Sequence, residues 1–263
     1  MAENIIEFED RKQYAILRIN RPEVHNAVNG AVMERLEEVQ KLLHEQRDLL
    51  VLIITGAGEK SFCAGGDIKY FATLKSRDEA LAMSRRMQSV LNGFRLGNQL
   101  VIAAVNGSAF GGGCEILTAC HYRIAAAHAR FSFRQAANGI ITGWGGGVRL
   151  FQQINASRAL RLLTTSETID AREAAAVGFI DEVVQDSAVL EKALSLAESI
   201  VRNSPASVRT FLQILQKIQQ GDLETAIELE TERFGDLWID EDFKRWLNTF
   251  FKKPPPRNPA LIF

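Results

Sequence analysis

The stretch that most limits what this chain can become is Val101-Ile-Ala-Ala-Val-Asn-Gly-Ser-Ala-Phe-Gly-Gly-Gly-Cys-Glu115. An apolar, β-branched run stops at Asn106-Gly107, a pair that favours a tight turn. Three consecutive glycines, Gly111, Gly112 and Gly113, then open a helix expected over residues 114–120. The reading is a strand, a turn and a helix N-terminus stripped of side chains. Such a terminus carries unpaired N–H groups and the positive end of the helix dipole, and glycine lets a ligand approach that backbone closely. Glu115 sits just inside the first turn. The stretch therefore reads as an anion hole with a general acid/base beside it.

Around this motif the sequence alternates strands with amphipathic helices. Ile6 and Phe8 alternate with acids, and residues 13–19 supply the second arm of a hairpin. Val32, Leu36, Val39 and Leu43 recur at helical spacing. Residues 49–55 form a continuous apolar strand, followed by a second glycine turn in Ser61-Phe-Cys-Ala-Gly-Gly-Asp67. A mobile polar stretch is expected at Lys75–Asp78, then a helix through Met83, Met87, Val90, Leu91 and Phe94. Residues 122–126 read as a strand, and a third glycine cluster at 143–147 feeds a helix over 148–153. A helix at 156–163 follows. Asp170-x-x-Glu173 has the form of a capping box for a short helix stopped by Gly178, with a last strand at 179–184. From Ser187 the texture is all helix: one to Asn203, one capped by Ser204-Pro205 and ended by Gly221, one from Asp222, and one from Asp240 to near Phe251. An α/β core over 1–190 with a helical region over 191–263 is the expected organisation.

Composition removes several function classes. With 263 residues, 46% hydrophobic and 24% charged, the chain has enough apolar material for a sizeable core. A net charge of −1 gives no basic footprint, so nucleic acid is not an expected partner. Cys63, Cys114 and Cys120 are odd in number and lack C-x-x-C spacing, which points to a reducing compartment without disulfides. His25, His44, His121 and His128 are scattered, and no metal site is expected. An acidic start without an apolar stretch argues against a leader, no apolar run is long enough to span a membrane, and the expected location is the cytoplasm. Neither a dinucleotide nor a P-loop glycine pattern is present, and there is no G-x-S-x-G or H-E-x-x-H.

Taken together, Arg21-Pro-x-x-x-Asn26-Ala, Phe62-Cys-Ala-Gly-Gly-Asp-Ile68, Ala104-Val-Asn-Gly-x-Ala-x-Gly-Gly-Gly-Cys-Glu115 and Gly139-Ile-Ile-x-Gly-Trp-Gly-Gly146 resemble the enoyl-CoA hydratase/isomerase (crotonase) superfamily over essentially the whole chain. The resemblance implies an α/β fold with a crotonase-like ββα spiral core and a C-terminal helical trimerisation region. It implies homotrimers, often paired into hexamers, and a coenzyme A thioester as substrate, with no separate cofactor. It places the thioester oxygen between the backbone N–H groups of Gly66 and Gly112. Coenzyme A contacts fall on Glu23, Val24, His25 and Ala27, on Ala64, Asp67, Ile68 and Lys69, and on Gly111, with Trp144 walling the acyl pocket. Phe250 and Lys253 match a phenylalanine and a lysine that touch coenzyme A on a neighbouring subunit.

One departure bears on the reaction. Hydratases of this family use two glutamates, matched here by Glu115 and by position 135, where this chain has Gln135. Glutamine cannot exchange a proton as a carboxylate does, although it can orient water or a carbonyl. The resemblance then leans toward the branch that decarboxylates ethylmalonyl-CoA or methylmalonyl-CoA, because a neutral residue would not repel the substrate's own carboxylate. A hydratase working with the single Glu115 is the alternative, and a non-catalytic, RNA- or partner-binding homologue is a third.

Overall fold

Three apolar runs become parallel strands covered on both faces, and these set the frame. The computed structural model describes residues 5–252. The chain enters through an antiparallel hairpin of β1 (Ile6–Asp10) and β2 (Tyr14–Ile19), followed by α1 (Gly30–Glu45), capped by Asn29. Three ββα turns then follow. The first comprises β3 (Val51–Gly56), β4 (Ser61–Cys63), α2 (Ile68–Phe71) and α3 (Arg77–Arg95). The second comprises β5 (Leu100–Val105), β6 (Ser108–Phe110) and α4 (Gly112–Thr118). The third comprises β7 (Tyr122–Ala126), β8 (Arg130–Ser132), a 3-10 turn at Ala136–Asn138 and α5 (Gly146–Gln153). Next come α6 (Ala156–Thr165), β9 (Ile169–Asp170), α7 (Ala171–Ala176), β10 (Glu182–Val184) and α8 (Val189–Val201).

Each turn contributes one strand to each of two sheets. The larger has the order β1-β2-β3-β5-β7-β10 and the smaller β4-β6-β8-β9. Strands β3, β5 and β7 run parallel, with Ile53 opposite Ile102 and Ala104 opposite Ile124, and β4, β6 and β8 stack in parallel beside them. This is the expected ββα spiral. Every residue of β3 is buried, as an all-parallel central strand requires. Asn106 stitches one turn to the last: its Oδ1 accepts from Gly56 N–H at 3.0 Å and its Nδ2 donates to Gly58 O at 2.7 Å.

By contacts the chain divides after Arg202 rather than at residue 190, into one unit up to Arg202 and another from Asn203. The reason is α8, whose Val189, Ala193 and Ala197 are buried on the spiral core. The second unit holds α9 (Pro205–Gln219), α10 (Leu223–Trp238) and α11 (Glu241–Lys252). Helix α10 is capped by Asp222, which accepts from Thr225 N–H at 3.2 Å.

Three local expectations change. Lys75–Asp78 is not a loose stretch but the capping box of α3: Ser76 Oγ accepts from Glu79 N–H at 3.2 Å while Glu79 Oε2 accepts from Ser76 N–H at 2.8 Å. Ser204 makes no side-chain cap, so α9 starts on Pro205 at its first turn alone. The strand expected over 179–184 pairs only at Glu182–Val184, because Phe179 and Ile180 are buried in the core instead.

Candidate active site

The helix after the three glycines starts two residues earlier than the sequence indicates, at Gly112, with Gly111 before it at φ +50°. Two glycine N–H groups are left over. Among the described residues neither the Gly66 nor the Gly112 N–H has a hydrogen-bond partner, and both residues line one cavity of about 550 Å³. The 65–66 turn is held close to the start of α4. A methyl group on Gly65 would lie 2.8 Å from Gly112 N, and Val28 N–H bonds to Gly65 O at 2.8 Å. No side chain larger than hydrogen fits at either amide: on Gly66 it would lie 2.0 Å from the Phe71 ring, and on Gly112 2.2 Å from the Trp144 ring.

Glu115 lies in the first turn of α4 and is 2% exposed. Its Oε2 accepts from Trp144 N–H at 2.7 Å, just ahead of α5, and from Gly146 N–H at 2.9 Å, an orphan donor of the first turn of α5. Its Oε1 accepts from Gln135 Nε2 at 2.9 Å. Burial raises the pKa of this carboxyl above the ordinary 4.5, and the donated bonds from Gly146, Trp144 and Gln135 offset only part of the shift. A buried carboxylate with a raised pKa, in a cavity beside unpartnered amides, is equipped to take and return a proton.

The loop that holds Glu115 is itself fastened. Gly143 O accepts from Ser84 Oγ at 2.5 Å and from Gln88 Nε2 at 3.1 Å, both on α3. Trp144 Nε1 donates to Met83 Sδ at 3.3 Å. Arg149, buried on α5, donates through Nη2 to Trp144 O at 2.8 Å and through Nε to Thr118 Oγ1 at 3.0 Å. Burial pushes the Arg149 guanidinium down to about 10, so it stays charged at neutral pH. Sequence reasoning missed Arg149; the signal was a charged residue five positions after Trp144 on an otherwise inward face.

Gln135 is 7% exposed, and its Oε1 is buried without a partner. Gly66, Gly112, Glu115 and Gln135 thus come together, and Ala64, Ile68, Gly111 and Trp144 line the same cavity. Trp144 is both core and wall, being buried and cavity-lining at once. Phe71, Met83, Phe110, Arg134, Asn138, Ile140, Ile141 and Gly143 also line it and were not singled out as site residues from the sequence.

The other expected contacts lie outside this lining. Glu23 and Val24 form a 3-10 turn, and His25 and Asn26 adopt left-handed backbone at φ +54° and +58°. This segment is tied to the second glycine turn by Ala64 N–H to His25 O at 2.9 Å and Arg21 Nη1 to Ala27 O at 2.6 Å. The Asp67 carboxylate caps α2 and pairs with Arg21 at 3.0 Å. Burial alone would raise its pKa, but the Arg21 bond and the α2 N–H groups hold it below the usual range. Lys69 is exposed on α2. Phe250 is on α11 in the other unit, stacked on Trp246, and Lys253 lies outside the described residues. Cys114 is buried packing: its Sγ donates to Ala109 O at 3.0 Å, and burial pushes its thiol far up. Among the described residues no cluster suited to a metal ion occurs.

A family model described as enoyl-CoA hydratase/isomerase matches residues 9–258. The short-chain-enoyl-CoA hydratase of Clostridium acetobutylicum is 36% identical over 253 residues, which is 95% of this chain and 95% of that protein. The crotonyl-CoA hydratase of Syntrophomonas wolfei is 34% identical over 251 residues, covering 95% and 96%. Among solved structures, an enoyl-CoA hydratase from Bacillus anthracis superposes with a TM-score of 0.89 at 32% identity, over 94% of this chain and 96% of that one. This chain belongs to the enoyl-CoA hydratase/isomerase (crotonase) family.

Proposed function

We propose that this enzyme adds water reversibly to a short enoyl-CoA thioester, using Glu115 as its only proton-transferring side chain. The observation that carries the reading is the Glu115–Gln135 contact with Gln135 Oε1 left over. With Nε2 engaged on ionised Glu115, the amide of this cavity-lining residue keeps an unpartnered, buried acceptor. A water there gives one hydrogen to Glu115 Oε1 and the other to Gln135 Oε1, leaving a lone pair for attack. As its oxygen bonds to Cβ, the proton passes to Glu115 and the Cα–Cβ electron pair moves onto the thioester oxygen. The N–H groups of Gly66 and Gly112 hold that enolate oxygen, where preorganised donors act most strongly. Glu115 then returns the proton to Cα. One water is added, and Gln135 neither gains nor loses a proton.

With Nε2 turned to Glu115, Gln135 has no donor left for a substrate carboxylate, only an acceptor oxygen, which counts against the decarboxylation that residue 135 alone favoured. The named relatives are hydratases, which supports the same choice. The exposed apolar side chains of the helical unit, Phe211, Phe234, Trp238 and Trp246, support association into trimers or paired trimers. The test is a substrate panel. Crotonyl-CoA should lose its enoyl absorbance, while ethylmalonyl-CoA and methylmalonyl-CoA release no CO₂. The reverse pattern restores decarboxylation, and no turnover of any of the three overturns both.

A further inference from the structure

We infer that Arg134 makes this cavity selective for acyl groups that end in a carboxylate, an inference that rests on the acyl-thioester reading above and narrows its substrate class. Among the described residues lining the cavity, only Glu115 and Arg134 are ionisable. Glu115 is spent on Trp144, Gly146 and Gln135. Arg134 is not. Its guanidinium lies over the Phe110 ring, 5.4 Å from the centroid, and among the described residues it has no hydrogen bond or ion pair. An arginine laid on an aromatic face is held in place with its N–H fork still available.

The position of Arg134 follows from the motif itself. Phe110, Gly111 and Gly112 are consecutive, so the Cα atoms of the residue beneath Arg134 and of the residue with the unpartnered amide are at most about 7.6 Å apart. The way between them is open. A methyl group on Gly111 would meet nothing nearer than Gln135 Nε2, 4.0 Å away. Asn138, whose N–H bonds to Arg134 O at 3.2 Å, lines the same cavity and adds an amide donor one turn on. The remaining walls are largely apolar: Ile68, Phe71, Met83, Ile140, Ile141 and Trp144. An acyl chain that leaves an oxygen held at Gly112 and passes Gly111 reaches this cation. Arg134 is itself exposed, so the gain comes from geometry more than from burial: a guanidinium already laid on the Phe110 ring offers a carboxylate two parallel bonds. A methyl-ended chain gains nothing there. The favoured ligands are short dicarboxylic acyl thioesters, with the free carboxylate at the chain end remote from the sulfur.

Binding of unreactive saturated thioesters tests this without relying on turnover. Calorimetry would compare butyryl-CoA with glutaryl-CoA on the wild-type protein and on Arg134→Gln and Arg134→Lys. Wild type should bind glutaryl-CoA about 2–5-fold more tightly than butyryl-CoA, the range expected of one ion pair at an exposed arginine. Arg134→Gln should abolish that ratio, and Arg134→Lys should keep only part of it, since a point charge lacks the fork. Equal affinities in wild type, or a ratio that survives Arg134→Gln, overturns the inference. An equal loss for both thioesters would also overturn it, assigning Arg134 to the coenzyme A phosphates they share. Failure of wild type to hydrate crotonyl-CoA is a separate result, and it would sink the hydratase reading while leaving these affinities standing.

Discussion

Replacing Glu115 by glutamine should lower kcat by about 10²–10⁴, the usual range for a positioned acid/base, with the fold retained. The substitution keeps shape and most bonds. The new amide's oxygen still accepts from the Trp144 and Gly146 N–H groups, and its NH₂ is satisfied if Gln135 turns its own amide over. What disappears is the proton carrier. In the wild type, kcat/KM should fall tenfold per pH unit once the pH drops below the Glu115 pKa, because the base must be ionised to take the proton from water. Burial raises that pKa, so the acid limb lies at higher pH than an ordinary carboxyl with a value of 4.5 would give. The residual activity of Glu115→Gln should lack this limb. Circular dichroism and binding of butyryl-CoA verify that the variant is folded and still takes a thioester. Full activity in the variant would remove Glu115 from the chemistry.

Gly112→Ala should cost about 10²–10³ in kcat, equivalent to the ~2.7–4 kcal/mol seen when one oxyanion donor is lost. A backbone N–H cannot be deleted by changing a side chain, but it can be displaced. The added methyl would stand 2.2 Å from the Trp144 ring, so either the residue 112 amide or Trp144 has to move. Movement of the amide withdraws a donor from the enolate oxygen. Movement of the Trp144 ring strains its Nε1 bond to Met83 and the loop whose N–H groups hold Glu115 Oε2. Both routes act on kcat more than on thioester affinity, and steady-state kinetics beside butyryl-CoA titration separates the two. Combined with Glu115→Gln, the loss should be smaller than the product of the single losses, because the groups act as one unit.

Much of this site is written locally. Three glycines before Glu115, two before Asp67 and the cluster from Gly143 each specify a stretch of backbone that something must approach closely, and all three turns meet at one place. The spiral was legible in the same way: the apolar runs 49–55 and 101–105 mark strands buried on both faces, and their spacing leaves room for one short strand and one helix between them. What stayed hidden is what depends on pairing across the fold. Nothing near Gln135 says that its Nε2 meets Glu115, twenty residues earlier, leaving Oε1 free. Arg149 reads as a surface charge until α5 turns it inward under Trp144. Lys75–Asp78 looked loose because polar composition does not reveal that Ser76 and Glu79 cap each other. The division by contacts falls after Arg202 for a similar reason: α8 has a helix pattern like those after it, and its buried Val189, Ala193 and Ala197 tie it to the first unit.

The central claim is that two main-chain amides share one oxygen. A crystal structure with an unreactive saturated acyl-CoA bound tests it most directly. The account predicts the thioester oxygen about 2.7–3.1 Å from both Gly66 N and Gly112 N, with Glu115 facing the acyl Cα and Cβ. A thioester oxygen bonded to neither amide, or to one while the other points away, would contradict it.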